Sequence, residues 1–75
     1  MDKRTIGILG LGVFGRSIIN TLRKYNCDII AVDDHEDVIN HFEPILARGV
    51  VGDITDHDLL QAAGIDTCDT VVVAT

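Results

Sequence analysis

Thr5-Ile6-Gly7-Ile8-Leu9-Gly10-Leu11-Gly12-Val13-Phe14-Gly15 joins an apolar run to three glycines spaced G-x-G-x-x-G and leads into a segment of helical periodicity. Strand, turn and helix in that order form the loop that cradles a nucleotide pyrophosphate. Gly10 suits the tight turn, Gly12 lets phosphate approach the backbone, and Gly15 lets the helix pack close to the strand. The anion then meets backbone N–H groups at the positive end of a helix. A lone loop of this kind is a weak signal. Here a strand precedes it, a helix follows it, and an acidic residue closes the next strand.

Working outward, Thr5 to Leu9 is β-branched and apolar without alternation, as befits a parallel strand covered on both faces. Phe14, Ile18, Ile19, Leu22 and Tyr25 recur at helical spacing, which predicts a helix from Val13 to Tyr25 that Asn26 ends. The second strand is Asp28 to Asp33. Asp34 is placed to cap the helix that follows, with Glu36 and Asp37 in its first turn. That helix carries Val38, Ile39 and Phe42, and Pro44 forces an end or kink near Glu43, leaving Ile45 to Ala47 unassigned. The third strand is Arg48 to Gly52. Thr55-Asp56-His57-Asp58 reads as a cap on a short helix through Leu59, Leu60 and Ala63, with Gly64 as its stop. Asp69 to Ala74 is the fourth strand.

Strands alternating with helices predict an α/β fold, a Rossmann-like doubly wound parallel sheet in the order 3-2-1-4. The crevice where the order reverses, between the first and fourth strands, is then the place for a ligand. In this order the fourth strand is an exposed apolar edge, which natural sheets avoid. We therefore read residues 1–75 as one nucleotide-binding domain, incomplete on its C-terminal side or covered there by a partner.

Seventy-five residues make at most one domain, and a chain this short is marginal alone. A net charge of −6 opposes general binding to nucleic acid or to an anionic membrane. No apolar run approaches membrane-spanning length, and Met1-Asp2-Lys3-Arg4 leads directly into a strand, so the expected location is cytoplasmic. Cys27 and Cys68 fall before the second and fourth strands, roughly 9–10 Å apart with the first strand between them, and are expected to be free thiols.

Asp33 ends the second strand on the same sheet edge as the glycine loop. A carboxylate there accepts ribose hydroxyls and repels a 2′-phosphate, which favours NAD or adenosine nucleotides over NADP. The competing reading is that Asp33 shares helix capping with Asp34. Arg16, in the first helical turn, either reaches a phosphate or is solvated. Asp53, after the third strand, either meets the adenine edge or bonds its own backbone in a turn. His35, His41 and His57 read as solvated, without metal-site spacing, and no nucleophile has a base beside it.

Ile8 to Gly15, Ala31-Val32-Asp33, Val50 to Thr55 and Val71 to Ala74 together resemble the RCK or TrkA-N domain, the N-terminal domain of the Trk and Ktr potassium-uptake regulators. Gly52-Asp53-Ile54-Thr55, running into a short helix with paired leucines, is the most discriminating stretch. The resemblance implies a non-enzymatic cytosolic domain that binds NAD(H) or ATP/ADP and gates a membrane potassium transporter subunit, to which it is peripheral. It also implies a homo-oligomer, a dimer or ring. By the same resemblance Gly10, Gly12 and Gly15 would contact phosphates, Asp33 the ribose, and Asp53 with Thr55 the adenine side. Leu11, Val13, Phe14, Arg16, Asp34, Ile54, Ala74 and Thr75 adjoin these positions and complete the candidate site. One departure is Val13, where many of the potassium-uptake branch carry arginine. The alternative reading is the nucleotide-binding half of an NAD-dependent dehydrogenase, and a third is an empty scaffold for protein association.

Overall fold

In the computed structural model, which describes residues 3–74, strand β1 (Arg4–Leu9) leads through the glycine turn into helix α1 (Val13–Leu22). Strand β2 (Cys27–Asp33), helix α2 (Glu36–Phe42) and strand β3 (Arg48–Val51) follow. Helix α3 (His57–Ala63) and strand β4 (Thr70–Val73) complete the order. The four strands form one parallel sheet in the order β3-β2-β1-β4. This is the α/β, doubly wound arrangement that the sequence predicts.

Alternation along the strands decides which helix lies where, because successive side chains point to opposite faces. Ile8, Ile29 and Ala31 point to one face and bury Ile19 of α1 with Ile39 and Phe42 of α2. Leu9, Ile30 and Val32 point to the other and bury Ala63 of α3 with Ile65. Helices on both faces leave β1 and β2 buried twice over, which is why their sequence is apolar without alternation.

Helix α1 stops at Leu22, short of the predicted Tyr25. Cys27 already pairs beside Arg4, so the chain must turn back within the residues between. It does so through tight bonds, Lys24 N–H to Thr21 O and Tyr25 N–H to Leu22 O. Tyr25 and Phe14, both assigned to the apolar face of this helix, are instead 67% and 64% exposed. The buried side is Gly15 and Ile19, with Ile18 and Leu22 packed against the core.

Pro44 acts as predicted: α2 ends at Phe42 and a 3-10 turn, Glu43–Ile45, takes over. The cap of α2 is not Asp34. The N-cap residue is His35, one position later, and it makes no side-chain cap bond. Helix α3 does have its cap, in Asp56, whose carboxylate accepts from Asp58 N–H and Leu59 N–H, and it ends at a left-handed Gly64. Arg48 donates to Ala62 O and Ala63 O at the C-terminal end of the same helix. Asp56→Ala is therefore expected to cost about 1 kcal/mol of stability, read by urea denaturation. A change of a few tenths would mean that water replaces the cap.

Among the described residues, strand β4 pairs with β1 alone. Val72 faces the covered side with Ile8, whereas Val71 and Val73 face the α3 side, where they are exposed. Cys27 and Cys68 are free thiols. Burial and the nearby charges of Asp69 and Asp66 push the Cys68 thiol upward.

Candidate functional site

The glycine turn is fixed to the sheet before any ligand is considered. Gly10 adopts φ +96°, a conformation open to glycine and strained for L side chains, and donates its N–H to Val32 O at 2.8 Å. Leu11 turns its side chain into the core and gives its N–H to Asp33 Oδ2 at 2.6 Å. Gly12 is the N-cap of α1 and offers no side-chain cap to the first-turn amides, and Gly15 lies against Gly10 O. Val13 and Phe14 project outward beside it. Ala74, buried and bonded through its N–H to Leu9 O, places its own carbonyl next to Gly12. Thr75 lies outside the described residues.

Asp33 is the one buried charged residue among those described. Its Oδ1 accepts from His35 N–H at 2.8 Å and lies 2.9 Å from His35 Nδ1. Burial pushes its pKa up, but the N–H groups of Leu11 and His35 and the imidazole outweigh that, and the net shift is downward. Asp33 thus supports the start of α2 through the His35 amide, and it also lines the cleft described next.

That cleft, of about 160 Å³, is lined by Gly10, Asp33, Asp34, Gly52, Asp53 and Ile54. The glycine turn, the end of β2 and the loop after β3 thus meet at the C-terminal ends of the strands, where open α/β sheets bind ligands. Asp53 Oδ1 accepts from Thr55 N–H and Thr55 Oγ1 at 2.8 and 2.7 Å, bonds that lower its pKa. The turn reading of Asp53 is realised, and its Oδ2 accepts no hydrogen bond among the described residues.

Arg16 does not turn toward the cleft. Its Nε donates to Leu11 O at 3.0 Å, and its side chain lines a separate hollow with Asp37, Val38, His41 and Phe42.

The sequence matches the TrkA-N domain over residues 6–75. The chain belongs to the TrkA-N domain family. Its relatives include Ktr system potassium uptake protein C of Bacillus subtilis, 36% identical over 72 residues, covering 96% of this chain and 33% of that protein. The Ktr system potassium uptake protein A of the same organism is 30% identical over 74 residues, covering 99% of this chain and 33% of that protein. The protein A of Vibrio alginolyticus is 26% identical over 73 residues, with shares of 97% and 33%. This TrkA-N chain spans about a third of the length of the curated relatives it matches. Among solved structures, N5-carboxyaminoimidazole synthetase from Staphylococcus aureus complexed with ADP superposes with a TM-score of 0.76 at 23% identity. It covers 93% of this chain and 18% of that one, and the likeness is one of fold.

His35, which the sequence reads as solvated, is indeed exposed, with its side chain 69% accessible, but it is not without partners. In this TrkA-N domain its Nδ1 lies 2.9 Å from Asp33 Oδ1 and 2.7 Å from Asp34 Oδ1. The bond to Asp33, then the charges of Asp34, Asp33 and Asp37, raise its pKa above the ordinary histidine value. Asp33, Asp34 and His35 each offer a donor atom within 4.8 Å of the others, although the histidine spacing suggested no such grouping. Their bonds to one another account for the closeness.

Proposed function

We propose that this TrkA-N domain binds an adenine nucleotide, NAD(H) or ATP/ADP, across the cleft at the C-terminal edge of its sheet. Asp33 carries the reading, because it stands buried at the end of β2 and opens on a cleft that it shares with Gly10 and Asp53. Phosphates would lie on the amides after Gly12, the ribose at Asp33 and Asp34, and the base toward Asp53, Ile54 and Thr55. Val13, Phe14, Gly15 and Ala74 would border the phosphates, with Thr75 beyond.

We further propose a regulatory role, in keeping with relatives described as potassium uptake proteins. The domain would act as a sensor and not a catalyst, in a homo-oligomer on the cytosolic side of a membrane potassium transporter subunit. No helix among the described residues is long and apolar enough to cross a membrane. Residues 1–75 would be the nucleotide-binding part of that protein. Gating requires that the ligand bind two conformations with different affinity, each 1.4 kcal/mol of difference moving their ratio about tenfold.

Calorimetry and thermal shift with ATP, ADP, NAD, NADH and NADP test this. ATP, ADP or NAD(H) is expected to bind and raise the melting temperature, by about 2.7 kcal/mol of stabilisation at a hundred times Kd, while NADP does not. NADP binding as tightly as NAD would contradict the placement of Asp33. Silence from a folded sample toward every nucleotide would sink the reading.

A further inference from the structure

We infer that His35 is a positioning residue for the ribose end of the cleft: its imidazolium holds the Asp33 and Asp34 carboxylates side by side, and ribose recognition weakens as that proton is lost. The inference rests on the nucleotide reading above and adds a pH dependence to the same site.

An ionised carboxylate has about four lone-pair positions. Asp33 spends two on His35 through Oδ1 and one on Leu11 N–H through Oδ2. One position is left, whereas a ribose diol brings two hydroxyl donors. The second acceptor must come from elsewhere, and Asp34 lines the same cleft. Its side chain is 73% exposed, and the contact that holds it beside Asp33 is the one to His35 Nδ1.

Two neighbouring carboxylates repel each other, and an imidazolium between them removes that cost. The groups that raise the His35 pKa are all acids: Asp33 at the end of β2, Asp34 beside it and Asp37 in the first turn of α2. From the other elements at this end of the sheet, Asp53 faces the cleft but makes no ion pair with His35 among the described residues, and Arg16 is directed to Leu11 O. Once His35 is neutral, no positive charge offsets the repulsion. Asp34 then turns to water, and the diol is left with the Asp33 carboxylate alone.

The experiment is calorimetric titration of the full chain with ADP and with 2′-deoxy-ADP between about pH 5 and 8. The ratio of their affinities cancels phosphate ionisation and any change at the glycine loop. The ratio is expected to fall about tenfold across this range in the wild type, the scale of one hydrogen bond to a charged group. It should be low and flat in His35→Ala, and high and flat in His35→Lys, which stays charged. NMR titration should show the His35 pKa falling in Asp34→Asn. ADP binding with a pH-independent ratio in the wild type overturns the role of His35 and leaves the nucleotide reading intact. A folded protein that binds ADP at no pH overturns the nucleotide reading and this role with it.

Discussion

Asp33→Ala is expected to lower the unfolding free energy by about 2–3 kcal/mol near neutral pH and to abolish measurable nucleotide binding in the same variant. The stability loss comes from Leu11, whose buried N–H loses its acceptor. The His35 N–H also loses a partner, but at an exposed position where water can substitute. Asp33→Asn separates the two roles. An amide oxygen still accepts from Leu11, so most of the stability should return, while the charge that distinguishes NAD from NADP is gone. Urea denaturation with calorimetry of ADP, NAD and NADP reads both effects. Wild-type stability in Asp33→Ala would show that the Leu11 bond is not what anchors the loop, and an Asp33→Asn protein that still rejects NADP would remove Asp33 from the ribose.

The same substitution reshapes the dependence of stability on pH, and the sign follows from the two shifts. The Asp33 pKa is lowered on folding, so its contribution is complete above the ordinary carboxylate value of about 3.9 and is lost as pH falls through the folded value. The His35 pKa is raised, so its contribution is complete below about 6.5 and is lost as pH rises through the folded value. Stability should therefore be greatest between the two, and Asp33→Ala should flatten the acid limb in part, since the Asp53 pKa is lowered as well, and the upper limb in part, since Asp34 still faces His35.

What was legible in the sequence was local or topological. The cap at Asp56 and the stop at Gly64 are set by residues a few positions apart, and both appear as read. The strand order followed from alternating strands and helices with a right-handed crossover, a rule that needs no knowledge of side-chain contacts. The end of α1 was not legible, because the apolar spacing runs on to Tyr25 while the pairing of Cys27 with Arg4 requires the chain to leave the helix at Leu22. Phe14 misled for a related reason: it fits the helical stripe, but the first turn of α1 stands at the crevice and nothing among the described residues covers it. At the site, the positions of Gly10, Asp33 and Asp53 could be read from strand ends. The bond of Arg16 to Leu11 O and the grip of His35 on two carboxylates could not, since both depend on where a long or hinged side chain swings. The adjacency Asp33-Asp34-His35 was the available signal for the second. Its force appears only when the short turn into α2 brings the imidazole back onto the strand end.

Gly15→Ala and Gly12→Ala, one residue type in one loop, should fail in opposite ways. A Cβ at Gly15 would collide with Gly10 O and crowd Gly10 C at 3.3 Å and Ala74 Cβ at 3.4 Å. Gly10 is held by its own positive φ and its bond to Val32 O, so the obstacle is backbone that cannot step aside. Relief requires α1 to lift from β1, opening the packing of Ile18, Ile19 and Leu22 against the sheet. The expected cost is about 3 kcal/mol, at the upper end for an overpacked site. At about 4–8 °C per kcal/mol for a domain of this size, that is a fall in Tm of more than 10 °C. At Gly12 the nearest obstacle to a Cβ is Ala74 O at 4.0 Å, and φ −70° suits alanine, so the fold should stand within about 0.5 kcal/mol of wild type. The new methyl would instead lie where phosphate must approach the backbone, and ADP affinity should fall by at least tenfold. Thermal melts and calorimetry on the two variants settle the assignment: a Gly15→Ala protein melting like wild type would mean that the helix is not clamped to the turn. A Gly12→Ala protein binding ADP undiminished would mean that the phosphates lie elsewhere.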